Sequence, residues 1–415
     1  MKTTITKNIS GDQAIEWEER FGSHNYHPLP VVLNRGEGVF LFDCEGKRYF
    51  DFLSAYSAVN QGHCHPRIID VLIEQARTLT LTSRAFYNDQ LGLTEKYVCE
   101  MFGYQKSLFM NSGAEANETA IKLARKWGYT QKHIPDNEAV IVAAKRNFHG
   151  RTTSIISAST DPSARNGFGP FMPGFEIIEF DDNDAIEKAL SDKNVCALWL
   201  EPIQGEAGAY VPRDGYLKAA SEACKKNNVL LMLDEIQTGL GRTGKMLAAD
   251  YEKVRPDILI LGKALSGGTL PVSVVLADDE IMSVIKPGEH GSTYGGNPLA
   301  SAVVREALQT LLDENMTENA SRLGKIFRER MNQLIGKSDL ITQVRGKGLL
   351  NAIVINASEE SDTAWRLCLD FAEYGLLAKP THGNIIRLAP PLCITEKQLR
   401  ESCDLIEHAV LNFAQ

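Results

Sequence analysis

Asp257-Ile258-Leu259-Ile260-Leu261-Gly262-Lys263-Ala264-Leu265-Ser266-Gly267-Gly268 is the stretch whose reading decides the fold. The unbroken apolar run 258–261 reads as a strand covered on both faces, because a strand with one wet face would alternate. It delivers a single lysine, Lys263, to a glycine-rich loop. Working outward, 229–233 is a second such run and delivers Asp234 to its own end. The runs 139–144 and 195–200 have the same character, the latter ending at Glu201. Helix-like segments at 115–127 and 215–227 precede the runs 139–144 and 229–233. Strands alternating with helices predict an α/β domain with a mainly parallel sheet covered by helices. Such sheets gather their ligands outside the carboxyl ends of the strands, where Lys263, Asp234 and Glu201 all fall.

From about residue 300 the pattern changes. A helical stretch at 298–314 leads to Val344-Arg345-Gly346-Lys347-Gly348, a strand-like 349–355, another helix and a turn-rich 379–391. We read a large domain at 51–300 and a smaller α+β domain at 301–415, joined by the N-terminal segment 1–50. A chain of 415 residues has ample length for this division. The net charge of -9 argues against a nucleic-acid partner, and no polybasic tract suggests a membrane surface. The longest apolar runs fall far short of the roughly 20 residues of a bilayer span. The N-terminus lacks an apolar signal core and soon becomes acidic, at Asp12, Glu16, Glu18 and Glu19, so neither a secretory nor a transit peptide is expected. The eight cysteines form no C-x-x-C pair, which fits reduced thiols. A cytoplasmic protein is the expectation.

An amine and a carboxylate at the ends of two buried strands can hold an aldehyde cofactor between them. The amine, made less basic by burial and by a cationic ring, would attach the aldehyde. The carboxylate would partner a pyridine nitrogen. That pair points to pyridoxal 5'-phosphate. A surface lysine and a turn or N-cap aspartate are the ordinary alternatives for each residue alone; both together after buried strands argue against coincidence. Asn111-Ser112-Gly113-Ala114-Glu115 opens a helix with capping-box spacing between Ser112 and Glu115. It is either a plain capped start or a phosphate site, since small residues there leave backbone N–H groups open to an anion. Ser292-Thr293-Tyr294-Gly295-Gly296-Asn297-Pro298 is a polar loop before a helix, from which Thr293 could donate to phosphate or simply cap.

Two motifs lead elsewhere. Gly239-Leu240-Gly241-Arg242-Thr243-Gly244-Lys245 imitates a P-loop, but Met246 stands where magnesium needs Ser or Thr, and the glycines begin several residues past the strand. His63-Cys64-His65 has no second ligand pair near it, and a loop fits better than a metal site.

The four segments around Ser112, Asp234, Lys263 and Thr293, in this order, resemble the class III pyridoxal-phosphate-dependent aminotransferases. His24-Asn25-Tyr26-His27-Pro28, Ser57-Ala58-Val59-Asn60-Gln61, Glu201-Pro202-Ile203-Gln204-Gly205-Glu206 and Lys379-Pro380-Thr381-His382-Gly383 are similar to the ornithine aminotransferase branch. The resemblance implies a fold-type-I enzyme, active as a homodimer or a multiple of one. It implies transfer of the δ-amino group of L-ornithine to 2-oxoglutarate, giving glutamate 5-semialdehyde and glutamate, within arginine metabolism or proline biosynthesis. It casts Lys263 as the Schiff-base residue and Asp234 as the partner of the pyridine nitrogen. Phe148 would stack on the ring and Gln237 would bond its phenolic oxygen. Ser112, Gly113 and Ala114, with Ser292 and Thr293 from the neighbouring subunit's loop, would hold the phosphate. Tyr26 and Arg151 would take the α-carboxylate of ornithine, and Tyr56 would favour ornithine over other amines. Arg387 would grip the α-carboxylate of 2-oxoglutarate, and Glu206 would mask Arg387 while ornithine is bound. Another donor, such as N-acetylornithine, 4-aminobutyrate or lysine, is the runner-up. His149 stands where some relatives have tryptophan, and Ser112 and Ala114 where some have threonine and valine.

Overall fold

The structure, a computed structural model, describes residues 9–413. Its centre is a seven-stranded sheet. In chain order the strands are β1 (Lys106–Met110), β2 (Val140–Ala144), β3 (Phe175–Ile178), β4 (Val195–Leu200), β5 (Leu230–Asp234), β6 (Ile258–Leu261) and β7 (Ser273–Ala277). Across the sheet they run β1-β7-β6-β5-β4-β2-β3. The block from β3 to β6 is parallel, and only β7 runs antiparallel to its neighbours β6 and β1. The four apolar runs of the sequence are thus the adjacent strands β2, β4, β5 and β6, so the mainly parallel sheet is as expected.

The period of two along each strand divides its side chains between two covers. Leu259 and Leu261 enter one core while Ile258 and Ile260 enter the other. The Ile258 face packs beneath the helix Gly113–Thr130, with Leu123, Trp127 and Trp199 filling the layer. The Leu259 face belongs to a core that runs on through Leu308 and Phe327 to Ile353 and Leu388.

The rest of the chain builds two small sheets. Leu33–Glu37, Phe40–Asp43 and Arg48–Asp51 form a meander, and Leu376–Leu377 pairs in parallel with its last strand. Residues near the two ends of the chain therefore share a sheet. Ile341–Lys347, Leu350–Ile355, Ile385–Leu388 and Lys379–His382 form an antiparallel sheet. The segment 379–391, expected as turns, contains the last two of these strands. Pro380 is tolerated because its strand lies at the sheet edge, where one side of the ladder is open. Among the described residues no helix is long and apolar enough to cross a membrane, and no cluster of His, Cys, Asp and Glu suits a metal ion.

The P-loop mimic serves the fold. Arg242 is fully buried and donates to the Asn60 Oδ1, to the Leu349 carbonyl (3.0 Å) and to the Pro390 carbonyl (2.6 Å). His63 and His65 are loop residues paired with Asp51 (2.7 Å) and Glu314 (2.9 Å).

Candidate active site

Strand register sets the site. Leu233 lies opposite Leu259 and Asp234 opposite Ile260, so the carboxylate leaves the sheet beside the loop of Lys263. Leu200 lies opposite Leu233, which brings Glu201 level with Asp234. These three groups line a cavity of about 190 Å³ with Gly113, Phe148 and Gln237. A larger groove of about 890 Å³ beside the N-terminal segment has Tyr26 on its wall, and none of Lys263, Asp234 and Glu201 lines it.

Lys263 sits at φ +45°, a left-handed conformation that L-residues adopt reluctantly and that collects at functional positions. Burial lowers its ammonium to about 8, Arg387 adds to the shift, and Glu206, Asp234 and Glu201 partly oppose it. Roughly a tenth of this amine is therefore neutral at pH 7, against well under a thousandth for a lysine of ordinary basicity, which favours its use as a nucleophile or base. Burial, and then the charge of Asp234, push the Glu201 carboxyl up to about 8, against the Phe148 N–H that donates to it at 3.0 Å.

Asp234 is held by three donors. Its Oδ2 accepts from Asn117 Nδ2 (2.8 Å) and His149 Nδ1 (2.8 Å), and its Oδ1 from the Ile236 N–H (3.1 Å). Trp199 Nε1 donates in turn to Asn117 Oδ1 at 3.2 Å, and the His149 ring stacks on Trp199 with centroids 3.8 Å apart. His149 Nε2 is buried without a partner among the described residues. Glu201 stands out in the sequence only by its place at a strand end, and Asn117 and Trp199 do not stand out at all. Asn117 lies one turn into the helix opened at Ser112, a spacing that could have marked it as facing the sheet.

Ser112 is the N-cap of Gly113–Thr130 and forms the expected capping box. Its side chain accepts from the Glu115 N–H (3.2 Å), and its own N–H donates to Glu115 Oε2 (2.7 Å). The Ser112 N–H is therefore occupied, whereas Gly113 and Ala114, in the first turn of the helix, line the cavity with N–H groups that an anion could use. Ser292 accepts from Asn111 Nδ2 (2.7 Å), whereas Thr293 is exposed and does not line this cavity.

The expected substrate residues come together from distant parts of the chain. Arg387, only 1 % exposed, donates to Glu206 Oε2 at 2.8 Å and reaches the Gly205 carbonyl and Gln237 Oε1. Burial alone would raise the Glu206 carboxyl, but the charge and hydrogen bond of Arg387, with the charges of Lys263 and Arg151, together outweigh it and hold the group below its ordinary value. Gly205 allows this approach, since a Cβ there would collide with Gln237 Oε1. The Tyr56 ring lies 5.0 Å beneath the Arg387 guanidinium. Arg151 donates to the Tyr26 hydroxyl at 3.4 Å, and its guanidinium lies 5.3 Å from the Phe148 ring.

The donor set suits pyridoxal 5'-phosphate. A lysine of lowered basicity, a buried carboxylate, an aromatic wall and a helix N-terminus free of bulk face one cavity. The description "Aminotransferase class-III" matches residues 21–410. The chain belongs to the class III aminotransferases. These aminotransferases are pyridoxal-phosphate-dependent enzymes of fold type I, and the sheet order and cavity above are this member's version of that fold. The chain is 62% identical over 395 residues to the mitochondrial ornithine aminotransferase of Drosophila ananassae, covering 95% of this chain and 90% of that one. Among solved class III structures, ornithine aminotransferase from Toxoplasma gondii superposes with a TM-score of 0.95 at 47% identity, over 97% of this chain and 94% of the other. Acetylornithine aminotransferase from Elizabethkingia anophelis gives 0.90 at 56% identity, over 98% of this chain and 100% of the other.

Proposed function

We propose that this aminotransferase moves the δ-amino group of L-ornithine to 2-oxoglutarate, releasing glutamate 5-semialdehyde and glutamate. The observation that carries the reading is the pairing of buried Arg387 with partly exposed Glu206 at 2.8 Å, with Tyr56 against the guanidinium and Arg151 bonded to Tyr26. One pocket must accept a diamine with a single carboxylate and then a diacid. A bare Arg387 would seize the carboxylate of ornithine and turn its distal amine away. Glu206 covers that charge, and an incoming dicarboxylate competes for it through the planar fork of the guanidinium. Arg151 and Tyr26 remain for the ornithine carboxylate.

Pyridoxal 5'-phosphate, when bound, supplies an aldehyde to take the amino group and a ring that withdraws electrons. Lys263 would hold the aldehyde, and its Nζ would serve as the base that takes a proton from the δ-carbon of ornithine, a role its lowered basicity suits. Asp234, fixed by Asn117 and His149, would orient the ring. Gly113 and Ala114 would hold the phosphate, and Phe148 would stack on the ring.

We also read the enzyme as a homodimer or a multiple of one. The exposed aromatics Phe86, Tyr87 and Tyr294, and a Thr293 that stays outside its own cavity, support that reading. Eight free cysteines suit a reducing compartment, which we take to be the cytoplasm.

N-Acetylornithine as donor is the second reading, favoured by the name of the Elizabethkingia relative. Both are tested by offering the purified holoenzyme ornithine, N-acetylornithine, 4-aminobutyrate and lysine with 2-oxoglutarate and identifying the aldehyde. A higher kcat/KM for ornithine, with glutamate 5-semialdehyde as product, is expected. A preference for N-acetylornithine would replace the first reading with the second.

A further inference from the structure

Ser54, Ala55, Tyr56 and Ser57 have φ of 48°, 45°, 61° and 71° in succession. L-residues enter this left-handed region singly, and a run of four persists only where its surroundings impose it. None of the four is a glycine or an asparagine. Residues held so far from their own preference collect where a side chain must be aimed. Here the aimed side chain is Tyr56, whose ring lies 5.0 Å from the Arg387 guanidinium.

The anchors of this turn are specific. Asp51, itself buried, accepts from the Leu53 N–H and the Ser54 N–H through Oδ1, both at 2.8 Å. Its Oδ2 takes the Nε2–H of His63 at 2.7 Å. His63 is in turn fixed to Gly38 by a reciprocal pair of backbone bonds, 2.7 and 3.0 Å. On the other side, the Ser54 hydroxyl donates to the Ala389 carbonyl at 2.7 Å, and the Ala389 N–H donates to the Phe52 carbonyl at 2.8 Å. Ala389 follows closely on Arg387 in the chain. Two hydrogen bonds therefore tie the segment that carries Tyr56 to the segment that carries Arg387, and they set the distance between ring and guanidinium.

We propose that Asp51, Ser54 and His63 are positioning residues for donor selectivity, locking the left-handed turn so that Tyr56 is held against Arg387 and shapes the pocket for ornithine. The proposal deepens the reading given above and rests on it, because it acts through Tyr56. Released from its anchors, the turn relaxes toward right-handed or extended backbone, which re-aims Tyr56 and opens the pocket to other amines.

The test measures, in the holoenzyme, the ratio of kcat/KM for ornithine to that for 4-aminobutyrate and for N-acetylornithine. Asp51→Ala, Asp51→Asn, Ser54→Ala and His63→Ala are compared alone and in a Tyr56→Ala background. Ser54→Ala and Asp51→Ala are each expected to lower the ratio about tenfold, and Asp51→Asn, which keeps an acceptor for the two N–H groups, to restore most of it. In the Tyr56→Ala background none of them should lower it further. A merely structural role would instead depress all donors alike and add its loss to that of Tyr56→Ala. An unchanged ratio in folded Ser54→Ala and Asp51→Ala, with Tyr56→Ala still shifting it, overturns the proposal and leaves the pocket reading intact. A wild-type enzyme indifferent to ornithine, or a Tyr56→Ala with unaltered selectivity, overturns the pocket reading and this proposal with it. Should Asp51→Ala not fold, Ser54→Ala decides.

Discussion

Glu206→Gln is the most informative single change to the pocket. The wild-type carboxylate accepts from Arg387 Nη1 at 2.8 Å, in a setting where Arg387 is almost wholly removed from water. Glutamine keeps an acceptor oxygen and the shape but removes the charge. A dicarboxylate that binds Arg387 must first displace this partner, so weakening the partner strengthens the diacid. Hydrogen bonds to a charged group contribute about 1.5–3 kcal/mol, and exchanging the ionised acceptor for a neutral one moves this bond from the upper toward the lower end of that range. If most of the difference passes to the incoming substrate, the KM for 2-oxoglutarate falls by roughly tenfold, at 1.4 kcal/mol per decade. Ornithine should suffer in the opposite way. Its carboxylate now finds an uncovered guanidinium, and molecules held the wrong way round occupy the site without reacting, so kcat with ornithine falls by a similar factor. Separate single-turnover measurements of the two halves of the reaction, followed by cofactor absorption, resolve the two effects. A KM for 2-oxoglutarate that stays constant or rises in a folded variant would refute the masking argument.

Three further outcomes are expected. Lys263→Ala should lose about two to four orders of magnitude in turnover, and its cofactor should come away on gel filtration where that of the wild type is retained. Because burial lowers Lys263 to about 8, attachment of pyridoxal phosphate to the apoenzyme should accelerate about tenfold per pH unit below that value and level off above it, read by borohydride trapping; a rate still climbing at pH 10 would mean an amine of ordinary basicity. Gly324→Ala should destabilise the protein by about 3 kcal/mol or more and lower the melting temperature by several degrees, since a Cβ there would collide with the Gly348 carbonyl, a backbone atom that cannot step aside.

The buried strands and their order as β2, β4, β5 and β6 are legible because an unbroken apolar run has few other uses in a soluble domain. The helix opened at Ser112 is legible for a local reason, its Ser112–Glu115 box, and the structure extends it over Gly113–Thr130. Lys379–His382 and Ile385–Leu388 escape such reading, because Pro380 and Gly383 look like loop punctuation and only the edge position of the first strand makes Pro380 acceptable. The left-handed turn at Ser54–Ser57 is invisible for a stronger reason. Nothing in Leu-Ser-Ala-Tyr-Ser favours positive φ, and the conformation is imposed by Asp51 and Ala389, the latter far away in the chain. The Asp234 cradle is half legible. Asp234 stands out at its strand end, but Asn117 and Trp199 look like ordinary helix and strand interior until the sheet brings them together.

Arg242 has a bearing on how the polypeptide comes to be made. Its guanidinium is satisfied by carbonyls of Leu349 and Pro390, both synthesised long after it. A nascent chain that has emerged only as far as the central sheet would lack two of the acceptors that Arg242 has in the folded protein. The native setting of Arg242 therefore forms only after the carboxyl-terminal residues leave the exit tunnel.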